Sequence, residues 1–143
     1  MKNRDRIIIT ALVVTLIMAG SAQAASYKLI VNNSVKVEAL SKKTASDLFL
    51  KKNTRWENGA PVVPVDQLDS SAVRDGFSRG VLGKAPAAVK SYWNQQIFSG
   101  RSIPPVEMKS DAEVISFVRS TPGAVGYISE SASPQGVRVV PVN

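Results

Sequence analysis

Hydrophobic residues change their spacing repeatedly along this chain, and that pattern constrains its fold more than any other feature of the sequence. Short segments at residues 27–31, 62–65, 124–128 and 137–142 are rich in β-forming residues, as in buried or half-buried strands. Between most of these segments, apolar residues recur every three or four positions, as on one face of a helix. The predicted order is β, α, β, α, α, α, β, β, without an internal repeat. It predicts a single α/β domain with three layers.

Residues that typically begin and end helices support this order. Capping residues, a first-turn proline and glycines after the last turn mark the helix ends. Ser110 and Glu113 have the spacing of a capping box at the start of the fourth helix. The predicted helices run from Ser41 to Asn53, from Ser70 to Gly83, from Pro86 to Ser99 and from Ser110 to Pro122.

The segments outside the helices carry three further expectations. Val35–Val37 either extends the first strand or pairs with it. Pro104-Pro105 is expected to prevent regular structure before the fourth helix, and Pro141 places the last strand at a sheet edge. Val89, Trp93 and Ile97 are expected to form one apolar stripe on the third helix. The aromatic residues expected in the core are Phe49, Trp56, Phe77, Trp93 and Tyr127.

The first 24 residues have the pattern of a secretory signal peptide. Three basic residues precede the 13-residue apolar run Ile7 to Ala19, and Ala22-Gln23-Ala24 has the small-x-small pattern of a cleavage site. The apolar run is shorter than the roughly 20 residues that span a bilayer. We therefore expect a periplasmic protein that begins at Ala25, has no stable membrane span and forms one domain over residues 25–143. Cleavage removes Lys2, Arg4, Arg6 and Asp5, and lowers the formal net charge from +7 to +5.

Composition excludes several kinds of chemistry. The chain has no histidine and no cysteine, so it has no Ser-His-Asp triad, no disulfide and no zinc site with nitrogen or sulfur ligands. The pattern Gly76-Phe77-Ser78-Arg79-Gly80 matches a nucleophile elbow, but Ser78 lies in a helical pattern. Its glycines are better explained by close approach of a neighbouring element. We expect no enzyme activity, no cofactor, no metal and, for an exported chain whose basic residues are not interleaved with aromatics, no nucleic acid partner.

The most informative segment for function runs from Asp66 to Arg74, where a predicted strand leads into a predicted helix. Amide groups at a helix start can hold an anion. The hydroxyls of Ser70 and Ser71 and the guanidinium of Arg74 would add donors, with Asp66 beside them. The alternative is that Ser70 or Asp69 only caps the helix and that Arg74 is solvated. If an anion binds, Arg74→Ala is expected to abolish binding with little loss of stability.

Eight short segments, taken in order and spacing, carry a resemblance to a known family. They are Leu48-Phe49-Leu50, Trp56-Glu57-Asn58-Gly59, Val63-Pro64-Val65-Asp66, Arg74-Asp75-Gly76-Phe77, Tyr92-Trp93, Phe98-Ser99-Gly100, Pro104-Pro105 and Pro122-Gly123-Ala124-Val125-Gly126-Tyr127. Across nearly all of residues 25–143 the sequence resembles small exported relatives of the phosphate ABC transporter substrate-binding proteins. The resemblance implies a single lobe of the periplasmic-binding-protein type, similar to type II, and phosphate or another oxyanion as the ligand. Two positions depart from the family pattern: Lys51 stands where glycine is common, and Ser70-Ser71-Ala72 stands where larger phosphate binders have Ser-Gly-Thr.

Two functions follow from these observations. The first is weak binding of phosphate or a similar oxyanion at Asp66, Ser70, Ser71 and Arg74, in a protein related to the binding components of transporters. The second is a periplasmic accessory or interaction module that keeps the fold without a small ligand. The basic charge favours the first, and the missing Ser-Gly-Thr favours the second. A transporter or another periplasmic protein is the macromolecular partner in either case.

Overall fold

Five strands form one mixed sheet in the computed structural model, which describes residues 25–143. The predicted signal peptide, residues 1–24, lies outside the described residues. The elements in chain order are β1 (Tyr27–Val31), α1 (Lys42–Phe49), β2 (Val63–Gln67), α2 (Ala72–Phe77) with a π-helical continuation (Ser78–Leu82), α3 (Pro86–Phe98), β3 (Val106–Met108), α4 (Asp111–Ser120), β4 (Ala124–Ser129) and β5 (Arg138–Val140). None of the helices of residues 25–143 has the length and hydropathy needed to cross a membrane.

The sheet order is β3-β2-β4-β1-β5. Strand β2 is parallel to both of its neighbours, β3 and β4, whereas β1 is antiparallel to β4 and β5. The carboxyl ends of β2, β3 and β4 therefore meet at one end of the sheet. The amino ends of β2 and β4 lie at the other end, together with the carboxyl end of β1.

Each face of the sheet carries its own hydrophobic cluster. On one face, β1 and β4 pack against α1, α2 and the π-helical turn, through a cluster that includes Phe49, Phe77 and Tyr127. On the other face, residues of β1, β2 and β4 pack against Val114 and Val118 of α4. Helices thus cover both faces, and the predicted three-layer α/β lobe is confirmed.

Aromatic rings fill the larger of these clusters. The rings of Phe77 and Tyr127 stack with centroids 3.9 Å apart, and Phe49 meets Phe77 edge to face at 4.7 Å. Such pairs add about 0.5–1.5 kcal/mol beyond the burial of their area. All five aromatic residues predicted for the core are buried, since Trp56 and Trp93 also have little exposure.

Several predicted helix ends are confirmed by their contacts. The Ser41 hydroxyl accepts a hydrogen bond from the Thr44 amide, and Pro86 occupies the first turn of α3. Gly83 ends the π-helical turn with φ of 65°. The capping box of α4 is partly as predicted: Ser110 accepts from the Glu113 amide, while the Glu113 carboxylate accepts from the Lys109 amide.

Three predictions were wrong, two about segments outside the helices and one about α3. Val35–Val37 is not a strand; the carbonyls of Val35 and Val37 instead accept hydrogen bonds from the Arg138 guanidinium. Pro104-Pro105 does not prevent regular structure, because β3 begins at the next residue and pairs with β2. On α3, Val89 and Trp93 are buried, but Ile97 is half exposed, since the last turn extends beyond the cluster that α3 forms with Leu50.

The glycines of the nucleophile-elbow pattern allow close approach of the chain before and within β1. A Cβ atom on Gly76 would lie 1.9 Å from the Ala25 carbonyl oxygen, and one on Gly80 would lie 2.7 Å from the Tyr27 hydroxyl. Ser78 is buried and its hydroxyl donates to the Lys84 carbonyl. The pattern therefore belongs to packing.

Replacing Trp93 tests the packing of α3. Trp93→Ala should lower the free energy of unfolding by about 3–5 kcal/mol, because the buried indole leaves a cavity beside Leu50 and Val89. Phe98→Ala is the matched control on the same helix. Its ring is 94% exposed, so we expect a change within about 0.5 kcal/mol. Urea unfolding measures both, and equal effects would contradict this packing.

Replacing Lys51 tests the backbone after α1. Lys51 has φ of 52°, a conformation that costs non-glycine residues about 1 kcal/mol and that explains why glycine suits this position. Lys51→Gly should therefore raise the free energy of unfolding by about 0.5–1 kcal/mol. In the neighbouring control, Lys52→Gly, we expect no gain, since Lys52 has no positive φ to relieve. A loss of stability in Lys51→Gly would refute the strain argument.

Candidate functional site

The predicted site lies where β2 and β3 end and α2 begins. Asp66 of β2 and Glu107 of β3 are register partners across the parallel ladder. Arg74 reaches them from α2, which starts five residues after β2 ends. Ligands of open α/β sheets commonly bind at such carboxyl ends of strands. The topology thus brings Asp66 and Arg74 to one end of the sheet, together with Glu107.

The Arg74 side chain is buried and already has several partners. One of its terminal nitrogens, Nη1, donates to the Gln67 carbonyl at 2.5 Å and to the Glu107 carboxylate at 3.1 Å. The same nitrogen lies 3.2 Å from Asp69 Oδ1, and Nη2 lies 3.6 Å from Asp66 Oδ2. Burial alone would lower the pKa of Arg74, but the carboxylates of Asp66 and Glu107 outweigh burial and raise it. One guanidinium is therefore surrounded by three carboxylates.

Asp66 lies beneath Arg74 and is also buried. Its Oδ1 accepts hydrogen bonds from the Tyr127 hydroxyl and, at 2.8 Å, from the Gln67 amide. Burial raises the pKa of Asp66 above its ordinary value, against the opposing effects of Arg74 and Tyr127. Burial, together with the neighbouring Asp66, also raises the pKa of Tyr127 far above its ordinary value. Tyr127 is thus a permanent donor to Asp66 at neutral pH.

The two serines of the predicted site differ in position. The Ser71 hydroxyl donates to Gln67 Oε1 at 2.9 Å, and Ser71 is the residue that precedes α2. Ser70 is one position earlier, is exposed and is not the N-cap. The structure brings Asp66, Ser71 and Arg74 into one connected cluster and leaves Ser70 at its surface. Oxyanion binding at these residues stays a prediction.

Sequence reasoning missed two residues of this cluster, Glu107 and Gln67. Gln67 is 2% exposed, and its amide nitrogen donates to Asp111 Oδ1 at 2.9 Å and to the Tyr127 carbonyl at 3.0 Å. No sequence signal placed Gln67, because the predicted strand ended at Val65, whereas β2 continues to Gln67. Glu107 lies beside Asp66 only because β3 pairs with β2. The sequence did not predict β3, since Pro104-Pro105 indicated irregular structure there.

The acidic groups of the described residues do not form a metal centre. Among residues 25–143, no group of three or more histidine, cysteine, aspartate or glutamate side chains is arranged to hold a metal ion. Asp66, Asp69 and Glu107 instead surround the Arg74 guanidinium. The cluster can tie α2 to the sheet, and its net negative charge disfavours an added anion.

Comparisons with known proteins place the fold. No protein-family model matches the chain, and no curated protein matches it in sequence. Solved structures do match, and two of the following three are named for phosphate transport.

The first is a protein of Clostridium perfringens assigned as a phosphate ABC transporter substrate-binding protein, solved with bound phosphate; the match has a TM-score of 0.66 and 24% identity and covers 82% of this chain and 45% of that one. The second is an ABC-type phosphate transport receptor from Vibrio cholerae, with a TM-score of 0.64, 16% identity and coverage of 82% and 46%. The third is PstS from Borrelia burgdorferi, with a TM-score of 0.63, 14% identity and coverage of 85% and 49%.

The resemblance predicted from the sequence is confirmed for the fold. This chain has the fold of phosphate ABC transporter substrate-binding proteins and spans about half the length of the solved structures that it matches. At these sequence identities the similarity establishes the fold but not the ligand.

Removing the Arg74 side chain tests its role in the fold. The sequence analysis expected Arg74→Ala to cost little stability, but Arg74 is buried, so we now expect a clear loss. Arg74→Ala leaves the buried Asp66 carboxylate without its cation, so we expect a loss of about 3 kcal/mol at pH 7. Arg79→Ala, which breaks an exposed ion pair with Asp75, should cost no more than about 0.5 kcal/mol.

The pH dependence of the stability of Arg74→Ala separates the effect of the lost charge from the effect of the lost packing. A carboxyl whose folded pKa is raised binds its proton more tightly in the folded state, so its contribution to stability falls as pH rises above the ordinary aspartate pKa of about 4. Without Arg74 the folded pKa of Asp66 is raised further, so this fall should extend to higher pH. Urea unfolding should therefore show a small deficit for Arg74→Ala near pH 4 and a larger one at pH 7. A deficit that does not change with pH would assign the loss to packing.

Proposed function

We propose that this chain is an exported, non-enzymatic lobe of the periplasmic-binding-protein type that acts by binding another protein and holds no small ligand at the Asp66 and Arg74 cluster. Its place of action is the periplasm, as the predicted signal peptide implies. The solved structures of the same fold are named as transport binding proteins, which agrees with a role in binding and not in catalysis.

The observation that supports this proposal most is the environment of Arg74. The cation that would attract an oxyanion is within 3.6 Å of three carboxylates, those of Asp66, Asp69 and Glu107. Two unit charges about 6 Å apart interact by roughly 3 kcal/mol at an effective dielectric constant of about 20. That repulsion is comparable with the whole free energy of millimolar binding, about −4 kcal/mol. The Ser71 hydroxyl is also engaged as a donor to Gln67.

Weak oxyanion binding is the second candidate, and one observation favours it. A solved structure of the same fold contains bound phosphate. At the start of α2 no side chain caps the first-turn amides, which leaves donors for an anion there. This candidate requires those donors to outweigh the surrounding carboxylates.

Calorimetric titration with phosphate and sulfate at pH 7 distinguishes the two candidates. We expect no saturable binding to the wild type up to about 10 mM anion. Asp69→Asn with Glu107→Gln removes two negative charges beside Arg74 and should create or strengthen binding, if the helix-start donors are competent. Glu38→Gln with Glu57→Gln removes the same charge from exposed positions at the opposite end of the sheet and is the control. Binding to the wild type with a Kd below about 1 mM, lost in Arg74→Lys, would overturn the proposal in favour of the second candidate.

Cross-linking tests directly whether the protein binds another protein. Chemical cross-linking of the protein in the periplasm of exporting cells, followed by mass spectrometry, should identify adducts with another polypeptide. Recovery of the uncross-linked monomer alone, under conditions that cross-link a known periplasmic complex, would argue against an interaction module.

A further inference from the structure

Exposed apolar side chains are concentrated in one short stretch of this chain. Within residues 25–143, the large hydrophobic residues with exposed side chains are Ile97, Phe98, Ile103, Val106 and Val139, and all but the last lie between residues 97 and 106. Phe98 is 94% exposed and Ile103 is 68% exposed. Single exposed apolar residues are common, whereas a group of them among polar residues marks a surface that binds a protein or a membrane.

A tight turn at the end of α3 keeps three of these residues close together. The Gly100 amide donates to the Ile97 carbonyl and the Arg101 amide donates to the Gln96 carbonyl, both at 3.0 Å. These two bonds form a Schellman motif, which reverses the chain directly after the helix. Ile103 follows at once, and a chain of this length keeps its Cα atom within about 18 Å of that of Phe98. We call Ile97, Phe98, Arg101 and Ile103 the α3 tip.

The apolar residues of the α3 tip stabilise neither the turn nor the core. In a Schellman motif, a hydrophobic contact often joins the residue after the glycine to the residue whose carbonyl it binds. Here those two residues are Arg101 and Gln96, which are polar. Helix α3 is attached to the lobe by its other face, through the cluster that it forms with Leu50. The exposed apolar side chains are therefore left for binding.

The charge around the tip is positive. Residues 80–106 contain Lys84, Lys90 and Arg101 and no aspartate or glutamate. All three basic residues are exposed, and within residues 25–143 none of them forms an ion pair. Lys90 lies about two helical turns before Ile97, so both are on one side of α3, about 10 Å apart along the helix axis.

Carboxylates on the neighbouring elements already have basic partners. The pairs are Asp47 with Lys43 on α1, Asp75 of α2 with Arg79 of the π-helical turn, and Glu107 with Arg74 at the edge strand β3. Lys90 and Arg101 thus keep charges that no ion pair compensates within the described part of the chain. The α3 tip is complementary to an occupant that is both apolar and anionic.

The shape of the tip favours a bilayer over another protein as this occupant. Residues that dominate protein interfaces lie in packed surfaces, where their neighbours exclude water. Phe98 instead projects from the last turn of a helix and has almost no neighbours. A bilayer accepts projecting aromatic and aliphatic side chains below its headgroups, while anionic headgroups attract basic residues beside them. Long basic side chains can reach those headgroups from a buried stem.

We propose that the α3 tip, together with Lys90, binds the surface of a bilayer that contains anionic phospholipids. The side chains of Phe98 and Ile103 insert below the headgroups, and Lys90 and Arg101 contact lipid phosphate groups. The chain is then held on the membrane surface without a helix that spans the membrane. This inference goes beyond the proposed function, because it concerns a surface that the Asp66 and Arg74 cluster does not include.

Sedimentation with vesicles tests the proposal directly. The sample is the exported protein, whose measured mass shows that residues 1–24 are absent, because the apolar run Ile7 to Ala19 would bind lipid by itself. One set of vesicles is phosphatidylcholine with about 30% phosphatidylglycerol, and the other is phosphatidylcholine alone. We expect partitioning into the anionic vesicles to be at least about tenfold stronger, and to fall to the neutral level at about 0.5 M salt.

Two double variants separate the apolar contribution from the charge. Phe98→Ser with Ile103→Ser should weaken partitioning into anionic vesicles about tenfold or more, because it removes the inserted side chains. Lys90→Gln with Arg101→Gln should also weaken it about tenfold or more, and should remove most of its salt dependence.

Matched controls remove the same kinds of group elsewhere. Lys36→Gln with Lys42→Gln removes two exposed charges beside β1, which is three strands from β3 in the sheet. Val139→Ser removes an exposed apolar side chain from β5, at the other edge of the sheet. Each control should change partitioning by less than about twofold. All these side chains are exposed, so folding should be retained, which thermal unfolding checks.

Fluorescence quenching locates the part of the protein that enters the lipid. Phe98→Trp places an indole at the α3 tip, and Val139→Trp places one at the other edge of the sheet. The native Trp56 and Trp93 are buried and provide the background. With anionic vesicles whose acyl chains are brominated, we expect quenching above this background in Phe98→Trp and none in Val139→Trp.

The proposal fails on any of three results. They are equal partitioning into anionic and neutral vesicles, unchanged partitioning in either double variant of the tip, and quenching at position 139 but not at position 98. A photo-cross-link from position 98 to another polypeptide, without vesicle binding, would make a protein the occupant instead. Failure here leaves the oxyanion titration and the periplasmic cross-linking unaffected, so the two proposals fail separately.

Discussion

The Arg74 guanidinium joins parts of the chain that no local signal connects. It binds the end of β2 through the Gln67 carbonyl, the middle of β3 through Glu107, and the buried Asp66 carboxylate. Asp66 in turn accepts from Tyr127 of β4, whose ring stacks on Phe77 of α2. A buried charge of this kind is tolerated only with its partners in place, so the cluster fixes how α2 and β3 meet the sheet.

This arrangement divides the lobe into two ends with different chemistry. At the carboxyl ends of β2 and β3, the polar groups are satisfied by one another, and no buried side-chain polar atom of residues 25–143 lacks a partner. At the opposite end, no hydrogen bond within residues 25–143 involves the amides of residues 36–39, which lie beside an apolar groove. Unsatisfied exposed groups can still be recruited by a partner, whereas a saturated cluster has few donors left.

Much of the fold was predictable because its signals are local. Ser41, Pro86 and Gly83 act within one turn of helix, and apolar residues that recur every three or four positions indicated the helices themselves. The two failures outside the helices share one cause. β3 exists because β2 offers it a parallel partner, and Val35–Val37 is not a strand because Arg138, about 100 residues away in sequence, takes its carbonyls. Long-range pairing overrode the local preference at both places.

The sequence by itself determined the α/β class, the apolar faces, the aromatic core, and the absence of histidine and cysteine chemistry. It also placed Asp66, Ser71 and Arg74 at a strand-to-helix junction. Only the tertiary structure decided what that junction is, because the charge around Arg74 depends on Glu107 from a strand 33 residues away. The sequence specifies which side chains are present. The electrostatic field at a charged side chain, however, depends on the neighbours that folding brings within a few ångströms.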